Sequence, residues 1–211
     1  MGIGARVEEH FQDFAQQAHA ARLGMWLFLA TESLLFGVLF IGYAFYRSLF
    51  PAVFALASRR LDITLGTANT FVLITSSFTV ALGLHLLRAG RRALAAAALS
   101  ITVALAVTFL LVKGFEWAND FREEIYPGTG SPQAPLTAPG AALFYTLYFL
   151  MGGLHGLHVM VGAGLLAWLD ARTIRGSLTP EYTTPLEVVA LYWHLVDIIW
   201  IFLYPLLYLV T

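Results

Sequence analysis

Five long, continuous apolar runs limit what this chain can fold into. A bilayer core about 30 Å thick is crossed by a helix of about 20 mostly apolar residues. Runs of that length occur at roughly 23–46, 63–87, 93–116, 139–168 and 186–210. They lack the strict alternation of membrane β-strands, and lipid offers the backbone no hydrogen bonds, so each run must be helical. The sequence therefore predicts an all-α integral membrane protein, a bundle of five transmembrane helices.

The composition supports the membrane class and excludes several others. Only 12% of the 211 residues are charged, against about 25% in an average soluble domain. The net charge of −1 gives no electrostatic basis for binding nucleic acid. Because the sequence has no cysteine, disulfides, thiolate catalysis and sulfur-ligated metals are excluded. A metal would need histidine and carboxylate ligands.

The polar segments predict the domain boundaries. Residues 1–21 contain Glu8 and Glu9 in place of the basic and apolar parts of a signal peptide. We expect a short, partly helical cytoplasmic segment there, followed by one membrane domain over 22–211. Residues 118–138 combine charge with several prolines and glycines, which indicates an ordered surface loop.

The lysines and arginines predict the orientation, because cytoplasmic loops carry the excess of positive charge. Seven lie on one side and five on the other when alternate loops are grouped. The two groups are Arg6, Arg22, Arg88, Arg91, Arg92, Arg172 and Arg175, and Arg47, Arg59, Arg60, Lys113 and Arg122. The excess predicts a cytoplasmic N-terminus and a C-terminus outside.

Ionisable side chains inside the spans are the candidate functional residues, since each costs about 2.5–3.5 kcal/mol at the bilayer centre. They are Glu32 in the first span, His155 and His158 in the fourth, and His194 and Asp197 in the fifth. At about 1.5 Å per residue, all five fall in one layer on the cytoplasmic side of the midplane. Each pair is spaced i, i+3, which predicts that its members share a helix face.

Three interpretations of this layer remain open. In the first, His155, His158, His194 and Asp197 form a structural cluster that ties helices together. The second gives Glu32 and its neighbours a role in proton handling or in contact with lipid headgroups. The third is a metal site on the last span, because a histidine and a carboxylate at i, i+3 resemble the ligands of helix-bundle metal proteins.

Other polar and aromatic residues have simpler explanations. Asn69 is expected to make one hydrogen bond between helices. His85 and Arg88, at the inner end of the second span, are candidates for contact with lipid headgroups. The tryptophans are expected mostly near span ends, where aromatic belts meet the membrane interface. They are Trp26, Trp117, Trp168, Trp193 and Trp200.

Two segments with closely spaced histidines form the most distinctive motifs of the sequence. They are Gly153–Val159 (GLHGLHV) in the fourth span and Tyr192–Trp200 (YWHLVDIIW) in the fifth. The first resembles the Gly-x-His-Gly-x-His-Val motif of the cytochrome c oxidase subunit III family, and the second resembles the last-helix motif of that family. The supporting matches are Thr31–Ser33, Ala68–Thr70 and Phe115–Trp117. The matched positions expected near helix ends are Asn69, Glu116, Glu187, Trp193 and Trp200. The resemblance extends over about residues 22–210.

The resemblance implies a supporting role in a respiratory complex. Longer members of the family have seven spans, and this chain resembles the bacterial form without the first two. Subunit III carries no haem or copper, which belong to subunits I and II. It packs directly on subunit I, stabilises the oxygen-reducing centre, supports proton uptake and binds phospholipid. Glu32 matches the family's buried carboxylate, which reacts with carbodiimide.

We therefore expect a non-catalytic chain of a proton-translocating cytochrome c or quinol oxidase in the bacterial inner membrane. Its partners would be subunits I and II, small subunits and phospholipids. One alternative is a subunit III-like accessory protein of a nitric oxide reductase or another respiratory complex. Another is a free-standing proton or solute transporter, although transporters typically have repeated halves and broken helices.

Overall fold

The computed structural model describes residues 11–123, 125, 127 and 140–210. In this part of the chain six helices form, joined by short connections. They are α1 (Phe14–Leu49), α2 (Pro51–Ser58), α3 (Ile63–Arg88), α4 (Arg92–Arg122), α5 (Ala141–Ile174) and α6 (Thr184–Tyr208). All except α2 are long and apolar enough to cross a membrane. The predicted all-α bundle with five membrane-spanning helices is confirmed.

Several helices are longer than the apolar runs from which they were predicted. Asp13 caps α1, because its carboxylate accepts a hydrogen bond from the amide of Gln16 at 2.7 Å, so α1 begins well before residue 23. Likewise α4 continues to Arg122 and α5 to Ile174. Hydropathy marks the part of a helix that lies in lipid, whereas backbone hydrogen bonding continues into the interface. Residues 1–10 and 128–139, which include most of the predicted surface loop, lie outside the described residues.

Two glycines end helices in the same way and set the tight turns at one end of the bundle. Gly90 after α3 and Gly176 after α5 have φ of 74° and 77°, the left-handed region that glycine adopts without strain. Beyond them, Arg91 donates to the carbonyl of Leu86 and Ser177 to that of Arg172, both at 2.9 Å. These are the hydrogen bonds of the Schellman motif, and they let the chain reverse within a few residues.

Four of the spans form a closed ring. Helix α3 packs against α4, α4 against α5, α5 against α6, and α6 against α3. Helix α1 lies outside the ring against α5 and α6, and it is the least buried span. The short α2 packs against α1 and α5, and the Ser58 hydroxyl at its end donates to the carbonyl of Leu207 at 2.7 Å.

Helix α6 is the most buried span and packs against α1, α3 and α5. Trp193 and Trp200, which the sequence placed near helix ends, lie nine and eight residues from the two ends of α6, and both are fully buried inside the bundle. Their indole N–H groups donate at 3.0 Å to Ser76 and Thr70 of α3. A spacing of seven residues places both rings on the stripe of α6 that faces α3. Hydropathy could not identify that stripe, since large apolar side chains of α6 occur on its exposed sides as well as on its buried ones.

The distance between α5 and α6 depends on one glycine. A Cβ at Gly162 would lie 2.8 Å from two carbons of the Trp193 ring and 3.2 Å from the ring of Tyr192. Protein interiors are close-packed, so neither buried ring has free space into which it can move. Gly164, two residues further along α5, has open space around it.

We predict that Gly162→Ala destabilises the protein by about 1–3 kcal/mol, the usual effect of overpacking a filled interior. The measurement is the thermal unfolding of the detergent-purified protein. Gly164→Ala is the matched control, and it should unfold at the native temperature or slightly above it, because alanine favours a helix more than glycine does. Equal unfolding temperatures for the two variants would contradict the close contact.

Candidate functional site

Glu32 and His158 form an ion-pair contact between α1 and α5. The Glu32 Oε2 atom lies 2.9 Å from Nε2 of His158, and both side chains are at least five-sixths buried. The other ring nitrogen, Nδ1, lies 2.7 Å from the carbonyl oxygen of Leu154. Phe36 packs edge-on against the imidazole, and the Tyr192 hydroxyl donates to the His158 carbonyl at 3.0 Å. The structure thus joins the candidate carboxylate to one of the motif histidines.

The geometry limits the proton states of this pair. A carbonyl oxygen only accepts hydrogen bonds, so Nδ1 of His158 must carry a hydrogen. The contact between Nε2 and Glu32 then holds one proton, either on the carboxyl group or on the imidazole. Both states leave the pair with zero net charge, which avoids the cost of an isolated charge in lipid. The pair can therefore pass a proton between its two members without changing its total charge.

His155, three residues before His158, has a different environment. It is 1% exposed and packs between the rings of Phe109 and Trp200, with centroids 5.6 and 5.2 Å away. Neither ring nitrogen has a hydrogen-bond partner among the described residues. Residues three positions apart differ in direction by about 60° around a helix. His155 therefore faces the interior of the four-helix ring, whereas His158 faces α1.

His194 and Asp197, the two candidate residues in the middle of α6, lie near α3 instead of near the histidines of α5. Nδ1 of His194 lies 2.7 Å from the Ser77 hydroxyl. Asp197 is close to the same serine, but neither of its carboxyl oxygens has a hydrogen-bond partner in the described part of the chain. The expected single cluster of His155, His158, His194 and Asp197 is therefore not formed. His155 faces α4 and α6, and His158 faces α1. His194 and Asp197 both face α3.

Glu187 ties three helices together at the first turn of α6. It forms ion pairs of 2.8 Å with Arg22 of α1 and Arg88 of α3, and it accepts the hydroxyl of Thr183 at 2.6 Å. Arg88, a candidate for lipid contact in the sequence, is thus bound within the protein, although about half of its side chain stays exposed. His85, one turn earlier in α3, is exposed.

Asn69 lies inside the ring and not at a helix end. Its side chain is fully buried, and its Nδ2 atom lies 3.4 Å from the carbonyl oxygen of Phe109. This is the expected hydrogen bond between helices, at the long end of the range. The amide oxygen of Asn69 has no partner among the described residues.

Sequence reasoning missed a buried polar group around Glu116. This carboxylate is 2% exposed rather than superficial, and Nζ of Lys113 lies 3.1 Å from it. Three further residues surround the pair, and we call the five together the Lys113 cluster: Lys113, Glu116, Asp120, Tyr148 and Tyr208. The sequence contains a pattern that predicts this cluster, because positions 113, 116 and 120 lie on one face of a helix. The pattern was missed because Lys113 was counted among the cations of the loops.

No three histidine or acidic side chains converge in a way that could hold a metal ion within residues 11–123, 125, 127 and 140–210. The arrangement of His194 and Asp197 instead directs both side chains toward the hydroxyl of Ser77. A hydroxyl accepts and donates hydrogen bonds, so this group is suited to hydrogen bonding.

We predict that Glu187→Gln lowers the unfolding free energy by about 1 kcal/mol at low salt, because two partly exposed ion pairs are lost. The difference from the native protein should shrink as salt is added, since exposed charges are screened. The check is thermal unfolding at low and high ionic strength. Glu181→Gln, in the exposed connection before α6, is the control and should have no effect. A salt-independent loss would contradict the ion-pair explanation.

The sequence was compared with known families and proteins. The profile of the family described as "Cytochrome c oxidase subunit III" matches residues 7–211. The chain is 27% identical to the probable quinol oxidase subunit 3 of Staphylococcus haemolyticus (strain JCSC1435), over 90% of this chain and 88% of that protein. It is 28% identical to the quinol oxidase subunit 3 of Bacillus subtilis (strain 168), over 89% and 85%.

A third relative comes from a plant. The chain is 31% identical to the cytochrome c oxidase subunit 3 of Arabidopsis thaliana, over 89% of this chain and 67% of that protein. The matched region of the family profile includes α1 to α6, and it contains both Glu32 and His158. Because the match covers nearly the whole chain, this multi-pass membrane protein belongs to the cytochrome c oxidase subunit III family.

Proposed function

We propose that this chain is the non-redox subunit III of a bacterial haem–copper respiratory oxidase that reduces O2 to water with electrons from cytochrome c or quinol. It packs on subunit I, stabilises the oxygen-reducing centre and supports proton uptake, while haem and copper belong to the partner subunits. The names of the relatives favour this function over an accessory protein of a nitric oxide reductase and over a free-standing transporter.

The proposed role in proton uptake rests on the Glu32–His158 pair. A carboxyl group and an imidazole 2.9 Å apart share one proton at a site with little exposure. Proton transfer between them needs no movement of the helices, because the two atoms are already within hydrogen-bond distance. The side chains keep 15% and 13% of their surface exposed, so a proton can be exchanged with a group on a partner chain.

An apolar stripe on α1 supports the proposed packing of this chain on subunit I. Leu27, Leu34, Val38, Ile41 and Phe45 are all exposed and recur at spacings of three, four and seven residues, so they form one continuous face. The stripe lies about 150° around α1 from Glu32, on the side of the helix that faces away from the bundle. A partner helix seated on it would pack against the outer face of α1.

We place the protein in the bacterial inner membrane with its N-terminus in the cytoplasm and its C-terminus outside. Lys113 is 6% exposed and lies inside the bundle, so it does not belong in a count of loop charges. Removing it changes the ratio from seven to five into seven to four. The larger excess supports the same orientation under the positive-inside rule.

Phospholipid is expected at the end of the bundle that holds Glu187. Arg22 and Arg88 leave about half of their side chains exposed after pairing with Glu187. A guanidinium group has five N–H donors and can bind a carboxylate and a phosphate at the same time. His85 is exposed one turn away on α3.

The subunit assignment is tested by purifying the chain in mild detergent and identifying what accompanies it. We expect a large haem-containing subunit and a copper-containing partner, with O2 consumption by the complex and no haem or copper absorbance from this chain alone. A complex that reduces nitric oxide and not O2 would contradict the proposal. So would a lone chain that conducts protons in vesicles.

We predict that an apolar carbodiimide modifies Glu32 in the detergent-purified complex and slows its proton uptake. Carbodiimides react with protonated carboxyl groups, and the shared proton of the Glu32–His158 pair supplies that form. His158→Gln should increase the labelling, because the carboxyl group of Glu32 then no longer shares its proton with an imidazole.

Mass spectrometry of the labelled peptides provides the measurement. Glu32→Gln is the matched control and should abolish labelling of the α1 peptide while leaving the other carboxyl groups as they are. Labelling elsewhere with an unmodified Glu32 would argue against a protonated carboxyl group at this position.

A further inference from the structure

The Lys113 cluster lies far from the Glu32–His158 pair and has no part in the proposed function. Tyr208 ends α6 and lies 21 positions, or about 32 Å of helix, after Glu187 in the first turn. It lies 16 positions, or about 24 Å, after Tyr192, which bonds to His158. The cluster therefore lies at the end of the bundle opposite to Glu187. All five of its side chains are at least nine-tenths buried, and Asp120 is the most exposed of them at 7%.

Lys113 uses all of its donors inside the cluster. An ammonium group has three N–H bonds and no acceptor. Nζ contacts Oε1 of Glu116 at 3.1 Å, the Tyr148 hydroxyl at 3.1 Å and the Tyr208 hydroxyl. The aromatic rings of Tyr148 and Tyr208 also lie against the ammonium group, with centroids 4.7 and 5.1 Å away. Its charge is therefore balanced by Glu116 and held in place by two hydroxyl groups.

The hydroxyl of Tyr208 has a single consistent role. It accepts from Lys113, so its one hydrogen points to Oε1 of Glu116, 2.5 Å away. Glu116 Oε1 thus accepts from the ammonium group and from this hydroxyl, and the charge-assisted hydrogen bond to Lys113 pairs an ammonium group with an ionised carboxylate. The second oxygen of Glu116 is buried and has no partner among the described residues.

The hydroxyl of Tyr148 has one hydrogen but two carboxyl neighbours. It lies 2.9 Å from Oε1 of Glu116 and 3.0 Å from Oδ2 of Asp120. Since it can donate to only one of them, the other contact would join two oxygens without a hydrogen if both acids were ionised. Glu116 is the ionised partner of Lys113, so the missing hydrogen belongs to Asp120.

We propose that the Lys113 cluster is a proton-binding site in which Asp120 holds one exchangeable proton and donates it to the Tyr148 hydroxyl. Every close contact of the cluster then has one hydrogen. The cluster as a whole is neutral, with one ammonium group, one carboxylate and one carboxylic acid. A neutral cluster suits a site enclosed by α4, α5 and α6, where an unbalanced charge would be strongly unfavourable.

The surroundings favour exchange with water at this end of the bundle. Asp120 lies in the last turn of α4, and Glu123, an exposed carboxylate just after it, is close enough to interact with it. On the α5 side Tyr145 interacts with Asp120, and it has a buried hydroxyl without a hydrogen-bond partner among the described residues. Arg60, before α3, is the cation on that side, where it acts on Tyr145. The site thus responds to the pH of one compartment.

Infrared difference spectroscopy tests the proposal on the detergent-purified complex that contains this chain. A step from low to high pH should remove the C=O band of one carboxylic acid from the native spectrum. In Asp120→Asn that band should be missing at both pH values. Glu123→Gln is the matched control, because it removes a neighbouring exposed carboxylate and should keep the band.

A second variant tests the proposal even if Asp120→Asn does not fold. Tyr148→Phe keeps both acids but removes the hydroxyl that accepts from Asp120, so the acid band should remain and shift in frequency. Assembly of each variant is verified by co-purification with the haem-containing subunit. An assembled Asp120→Asn protein whose pH-difference spectrum matches the native one would overturn the proposal. So would a Tyr148→Phe protein with the acid band unshifted.

Discussion

The lack of water in the bilayer core determines how this bundle is assembled, because a polar side chain there is stabilised by partners within the protein, and many of these partners lie on another helix. Helix α6 makes most of these contacts. Trp193 and Trp200 bond to α3, Tyr192 bonds to α5, and Glu187 holds both α1 and α3. These bonds fix the rotation of α6 about its own axis. Once that rotation is set, the positions of the neighbouring helices follow from packing.

The two proton-binding groups of the proposals form separate sites and are not joined along one path. The Glu32–His158 pair lies between α1 and α5, where a partner chain can reach it, whereas the Lys113 cluster is enclosed by α4, α5 and α6. Between them His155 packs against Trp200 and Phe109 without hydrogen bonds to any described residue. Aromatic rings at this level separate the two sites, so each can hold its proton independently.

The sequence was sufficient for the spans, because they follow from the length of apolar helix that crosses the lipid core. It was insufficient for the pairings of the ionisable residues. His155 and His158 are three residues apart, yet one faces Trp200 and the other Glu32, and this depends on helix rotation. Lys113 was misread for a related reason. A cation near a span end resembles a loop residue until the opposing Tyr148 and Tyr208 are known to enclose it.

Gly162 and Trp193 fit together as a small residue against a large ring, with no space left between α5 and α6. This has an evolutionary consequence. A larger side chain can become fixed at position 162 only when position 193 carries a smaller one, so the two positions should vary together among relatives. The contact therefore constrains the summed volume of two side chains, and a change on one helix can be compensated by a change on the other.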